Sequence, residues 1–207
     1  MTQGQVRFLK IPVFLLCLLP LGKLVLEAFG LWGFSLGANP VEGLLHSLGT
    51  WALNFLMLTL AVSPLRKITG QAWLLRFRRM LGLFSFFYVL LHFLVYAGLD
   101  QGLDLTFILE DIAERPYITL GFSAFVLLIP LAATSTRGMV RRLGVRWKKL
   151  HRLVYPVAIL AVWHYYWLVK ADVLQPLIYA AVLAFLLGFR LWGWRTRRRS
   201  PSQPLSA

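Results

Sequence analysis

The sequence predicts an all-α integral membrane protein with six transmembrane helices and both termini in the cytoplasm. Three observations predict it. Hydrophobic residues make up 58% of the 207-residue chain. Charged residues make up only 14%, against about 25% in soluble domains. The apolar residues collect into runs near 9–29, 44–63, 80–99, 117–134, 148–169 and 175–193, each close to the ~20 residues a spanning helix needs. The net charge of +14 does not indicate nucleic acid, because Lys and Arg fall in clusters between apolar runs rather than on one binding face.

The first run follows Arg7 and Lys10, as a signal peptide would, but has no clear small-x-small cleavage site and is kept as a helix. Pro12 suits a helix entry, and Pro20 inside the run predicts a kink. The single Cys17 excludes an internal disulfide or a thiolate metal cluster within one chain and is expected to be packing.

Orientation comes from the loops. Arg7 and Lys10 precede the first helix. Arg66, Lys67, Arg76, Arg78 and Arg79 lie between the second and third. Arg137, Arg141, Arg142, Arg146, Lys148, Lys149 and Arg152 surround the junction of the fourth and fifth, and Arg195, Arg197, Arg198 and Arg199 follow the sixth. Six spans put all these clusters on one side, which the positive-inside rule makes cytoplasmic. The acidic residues fall towards the other side. The outer loops near 30–43 and 100–116 are short and offer a docking surface rather than a catalytic domain. Residues 1–194 form one transmembrane domain; 195–207 form a basic, Ser/Pro-rich cytoplasmic tail, expected to be disordered, whose Arg run anchors at anionic headgroups. No repeat at fixed period, Gly-rich nucleotide loop, HExxH or CxxC is visible.

The histidines carry the chemistry. Ionisable side chains inside a spanning helix are expensive and point to function. The run from Trp147 to Lys170 holds His151 and His164, thirteen residues apart and so separated by roughly 20 Å of helix. His92 lies in the outer half of the third helix, at the depth of His164 in the fifth. Facing neutral imidazoles suit the axial positions of a haem iron. A proton relay or transport site, or interhelical hydrogen bonding, fits the same spacing. Ser85 and Arg78 share the stripe of His92: the serine leaves room for a macrocycle, and the arginine suits a propionate or simple anchoring. A second haem on His151, near the inner surface, would want a partner near position 78 or 79, where Arg78 and Arg79 stand. An ideal helix also turns His164 about 140° away from His151, a tension that a kink or twist at Pro156 would relieve. His46, at the outer start of the second helix, suits an interfacial or supporting place better than an axial one. A transporter or channel, or an assembly factor without cofactor, has little else in its favour: the run of segments shows no broken helix pair and no inverted repeat.

The segments LGANPVEGLLHSLGTWALNF, TLAVSPLR, RRMLGLFSFFYVLLHFLVY, RPYITLG and LAATSTRGMVRRLGVRWKKLHRLVYPVAILAVWHYYWLVKAD cover most of residues 36–172. They resemble the MsrQ (formerly YedZ) family, haem-binding membrane subunits of the bacterial periplasmic methionine sulfoxide reductase system, and more widely the ferric-reductase-like transmembrane domains. The resemblance implies a ferric-reductase-like haem-binding bundle in the bacterial inner membrane. It implies one or two haem b groups on His92, His151 and His164. It implies electron transfer from the quinone pool or a cytoplasmic flavin reductase, with FMN as a further cofactor, to a periplasmic molybdopterin enzyme, MsrP. That partner reduces methionine sulfoxide in oxidised envelope proteins. The wider family pattern has two histidines on each of two helices; here the third helix keeps one.

Overall fold

A computed structural model describes residues 3–31, 35–169 and 171–199. Lys170, residues 32–34 of the first outer loop and residues 200–207 of the expected tail lie outside the described residues. The described chain is helical: α1 Gln3–Ala28, α2 Pro40–Thr69, α3 Leu75–Val95, α4 Leu105–Glu114, α5 Pro116–Ala133, α6 Arg137–Leu143, α7 Val145–Leu150, α8 Val154–Leu168 and α9 Leu174–Arg199. The chain is an all-α integral membrane protein. Its α1, α2, α5 and α9, and α3 with its flanking turns, are long and apolar enough to cross a bilayer.

Local chemistry explains the boundaries. The Asn39 side chain accepts from the Glu42 N–H at 3.3 Å, Pro40 opens α2, and Gly70 ends it in the left-handed conformation (φ 70°). The stretch 100–116, expected to be loop, holds α4. The Asp104 carboxylate caps that helix by accepting from Thr106 N at 2.8 Å and Phe107 N at 3.4 Å, and Ile108 is buried beneath it. The run expected at 148–169 is the one that departs most from a plain span. Its α-helix, α8, has only 15 residues. It continues a 3-10 turn at His151–Leu153 and the six residues of α7, and the whole run reaches roughly 36 Å at 1.5 Å per residue. Pro156 lacks the N–H that the Arg152 carbonyl would accept, so the ladder tightens before it. Three steps near 120° instead of 100° cut the rotation between His151 and His164 from about 140° to roughly 80°.

The bundle is organised on α2. In α2, 56% of the most apolar window is buried within the chain, against 17–22% in the other spanning helices, which therefore turn most of their surface to lipid. On α1, Phe8, Ile11, Leu15 and Leu19 recur at helical spacing and are exposed, the stripe a lipid-facing helix needs. One core joins Leu53, Leu56 and Leu60 of α2 to Leu128 of α5, Ala158 of α8 and Leu186 of α9. A second joins Cys17 and Leu24 of α1 to Phe55 of α2 and to Phe84 and Tyr88 of α3, so Cys17 is buried in packing. The α2–α3 and α5–α8 pairs make the most extensive interfaces.

Polar ties register the helices. Ser85 Oγ donates to Ala52 O at 2.9 Å, and Tyr179 Oη donates to Asn54 Oδ1 at 2.7 Å. The fully buried Tyr88 hydroxyl donates to Cys17 O at 2.8 Å and accepts from Leu21 N at 3.1 Å. Those two groups would bond each other in a regular helix, so the phenol stands in the α1 ladder beside Pro20. Tyr88→Phe is expected to cost about 1–3 kcal/mol, since it strands buried groups. Urea titration of unfolding in mixed micelles checks this; an unchanged midpoint would remove the tie from the account.

Candidate functional site

The N-terminal parts of α2 and α5 each bring a backbone carbonyl and a glycine to the same end of the molecule. Across from them stand two histidines in the last turns of α3 and α8. His92 Nδ1 lies 2.9 Å from Leu45 O, and His164 Nδ1 lies 2.7 Å from Tyr117 O. A carbonyl only accepts, so each Nδ1 carries the proton and each Nε2 keeps its lone pair. The rings face each other with centroids 6.4 Å apart and planes at 80°. Both line one cavity of about 680 Å³ between the α2–α3 and α5–α8 hairpins, walled mostly by apolar side chains.

The two halves of this site are the same device used twice. Leu45 and Tyr117, Gly49 and Gly121, and His92 and His164 each stand 72 residues apart. Other lining residues obey the same offset, among them Ala52 and Ala124, Leu56 and Leu128, and Asp100 and Asp172. The expectation of no fixed-period repeat is therefore corrected: the chain carries a parallel structural repeat of two hairpins. Few side chains match between the halves, which hides the repeat from inspection. The glycines explain themselves. A Cβ on Gly121 would meet His164 Nδ1 at 2.8 Å, and one on Gly49 would meet the His92 ring at 3.3 Å. Sequence reasoning missed both, although the Gly-to-His spacing is equal in the two halves.

The donor set limits what the site can hold. Among the described residues no group of three or more His, Cys, Asp or Glu side chains is placed to hold a metal ion. A bare zinc-like ion takes three or four protein ligands; two opposed imidazoles need a metal that brings its own equatorial ligands. Imidazoles bonded at about 2 Å on opposite faces of one metal hold their centroids roughly 6 Å apart, close to the spacing observed. The cavity volume lies in the range of cofactor pockets, about 300–1,000 Å³. The residues fit an iron porphyrin.

The other expected residues lie as follows. His46 lines the same cavity, with its ring edge-on to Tyr165 at 6.0 Å. His151 is at the opposite, basic end, stacked on Trp147 at 3.8 Å. Its Nδ1 lies 3.2 Å from Trp147 O, and its Nε2 is buried without a hydrogen-bond partner. Arg78 lies within electrostatic reach of His151, not at the His92–His164 cavity. Ser85 does line that cavity. The 72-residue offset makes Arg79, which is exposed, the counterpart of His151. Arg115, absent from the cation clusters, is a cation at the cavity mouth beside Glu42, Asp100 and Asp172. Tyr117 first and Asp111 next hold its pKa above the ordinary arginine value, and its Nε lies 3.1 Å from Asp111. Lys23, another cation towards this end not counted in those clusters, pairs with Glu27 at 3.2 Å.

A family profile described as "Ferric reductase like transmembrane component" matches residues 48–162. Curated relatives match across nearly the whole chain. The "Protein-methionine-sulfoxide reductase heme-binding subunit MsrQ" of Azospira oryzae is 52% identical over 214 residues, covering 99% of this chain and 91% of the relative. The protein of the same name from Ralstonia nicotianae is 53% identical over 200 residues, covering 94% and 90%. That from Xanthomonas oryzae pv. oryzae is 47% identical over 205 residues, covering 98% and 94%. No solved structure matches. With half its residues identical to such relatives over nearly its full length, and a ferric-reductase-like transmembrane component at its centre, the chain belongs to the MsrQ family.

Proposed function

We propose that the chain is the haem b-binding, electron-transferring subunit of a methionine sulfoxide reductase system. The observation that carries this is the facing pair His92 and His164, each with Nδ1 committed to a carbonyl, across a cavity of porphyrin size. When bound, the haem supplies a one-electron iron centre inside the membrane. The chain supplies the rest. The Leu45 and Tyr117 carbonyls hold both imidazoles in the tautomer that presents Nε2. Gly49 and Gly121 let the rings lie against α2 and α5, and apolar walls exclude water and help set the potential.

The relatives' printed names supply the system, the family resemblance implies the direction, and the charge distribution supplies the orientation in the bilayer. With six crossings the cation clusters all fall on one side, which favours both termini in the cytoplasm; the bacterial inner membrane is what the family resemblance implies. The basic end then faces an anionic donor, a cytoplasmic flavin reductase, with FMN brought by its phosphate, or the quinone pool. His151 serves as the ligand of an inner haem with Arg78 and Arg79 beside it, because a ~30 Å bilayer core is too wide for one useful hop. The acidic end, with Asp104 capping α4 and Glu110 and Glu114 on it, faces the periplasmic molybdopterin reductase MsrP, and His46 lines the mouth there. Transport through a histidine relay is the weaker alternative, since a ring whose Nδ1–H is given to a carbonyl does not pass that proton onward.

The test is anaerobic. The chain is reduced with dithionite, freed of excess reductant and mixed with the molybdopterin reductase. Adding a methionine sulfoxide peptide is expected to reoxidise the haem within seconds to minutes, in proportion to sulfoxide added. A reduced spectrum that stays unchanged would sink the electron-transfer role.

A further inference from the structure

The last helix carries a cation that its apolar run conceals. Arg190 of α9 donates from Nη1 to the Tyr155 hydroxyl at 2.7 Å and from Nη2 to Leu60 O at 2.5 Å. That carbonyl is available because Pro64, four residues on, has no N–H to offer it. Arg190 Nε is buried without a hydrogen-bond partner. Arg78 of α3 comes within electrostatic reach of Arg190 and of Tyr155. His151, whose ring also lies near the Leu131 carbonyl, is within reach of Arg78. Lys67 adds a third cation beside α9, over the Phe189 ring at 5.2 Å. The acidic side chains of the sequence fall towards the other end of the bundle. Two guanidiniums thus lie within electrostatic reach of each other where helices from both hairpins and α9 converge, with no carboxylate paired to either among the described residues. Like charges in a medium of low dielectric repel, and each also loses hydration. An anion between them removes both costs.

We propose that Arg78 and Arg190 form a binding site for one anionic oxygen group, a carboxylate or a phosphate, beside His151 at the basic end of the bundle. The planar guanidinium fork suits either group. Two sources share this chemistry. One is the propionate of a porphyrin seated against His151, which rests on the haem reading above. The other is the phosphate of a lipid headgroup, which does not.

The test uses the full chain in nanodiscs of phosphatidylcholine alone or with added phosphatidylglycerol, with the variants Arg190→Gln and Arg78→Gln. Arg190→Gln also uncaps the Leu60 carbonyl, whereas Arg78→Gln leaves that cap in place. The readouts are haem components by optical redox titration, and melting temperature. A propionate predicts a second haem component, lost in His151→Ala. Its midpoint potential falls, or its signal disappears, in both arginine variants while the first component is unmoved. A lipid phosphate predicts that phosphatidylglycerol raises the melting temperature of wild type, and that both variants abolish the rise. Either pattern supports the site. Neither dependence in wild type, no change in either variant, or an effect confined to Arg190→Gln overturns it. A chain that binds no haem refutes the proposed function, and the lipid comparison still decides this site.

Discussion

Replacing His164 with alanine is expected to remove the haem held between His92 and His164, leaving only a haem held at His151, because loss of a ligand exceeds the 10–100-fold affinity cost of losing a supporting partner. The structure gives the site no substitute, since no group of three or more possible ligands forms among the described residues. His92→Ala is expected to match it, because the rings occupy equivalent places in the repeated hairpins. His151→Ala is the control: its imidazole stacks on Trp147 at the far end, so the haem between His92 and His164 should survive. Pyridine haemochrome assay against protein concentration checks all three. Undiminished haem in His164→Ala would refute the ligand assignment.

The second large effect runs against helix propensity. Gly121 lies inside α5, where Gly→Ala ordinarily stabilises a helix by about 1 kcal/mol. Here the new methyl would sit 2.8 Å from His164 Nδ1 and 2.9 Å from its Cε1. The imidazole must leave the Tyr117 carbonyl, which frees its tautomer and tilts Nε2 away from His92. Gly121→Ala is therefore expected to cost about 10–100-fold in haem affinity while the fold persists. Gly49→Ala, with its nearest approach at 3.3 Å, should cost clearly less. Haem titration of apoprotein in detergent separates the two. Equal, small effects would show that the rings are not held as described.

The sequence made some of this legible for definite reasons. Apolar runs and cation clusters mark spans because lipid and the translocation rule act on composition, and His92 and His164 stand at matching depth by counting alone. Asn39-Pro40-Val41-Glu42 spells a cap that was open to reading. Other features depend on which backbone meets which side chain. The carbonyls of Leu45 and Tyr117 carry no signature, since any residue supplies a carbonyl. The duplicated hairpin was hidden because pairs such as Leu45 and Tyr117, or Ser85 and Val157, share a place but not a side chain. Arg190 passed unnoticed because one cation barely moves the hydropathy of a long apolar helix. The 3-10 turn at His151–Leu153 needed the fate of the Arg152 carbonyl opposite Pro156, which only the folded ladder displays.

The central claim is that facing imidazoles of His92 and His164 hold an iron porphyrin within the membrane. The most direct measurement is the dithionite-reduced minus oxidised absorption spectrum of the wild-type chain, purified in mild detergent after expression with ample haem supply. The account predicts a Soret band that sharpens and shifts on reduction and a resolved α band of six-coordinate b-type haem. A chain that folds and purifies without any Soret band would contradict it.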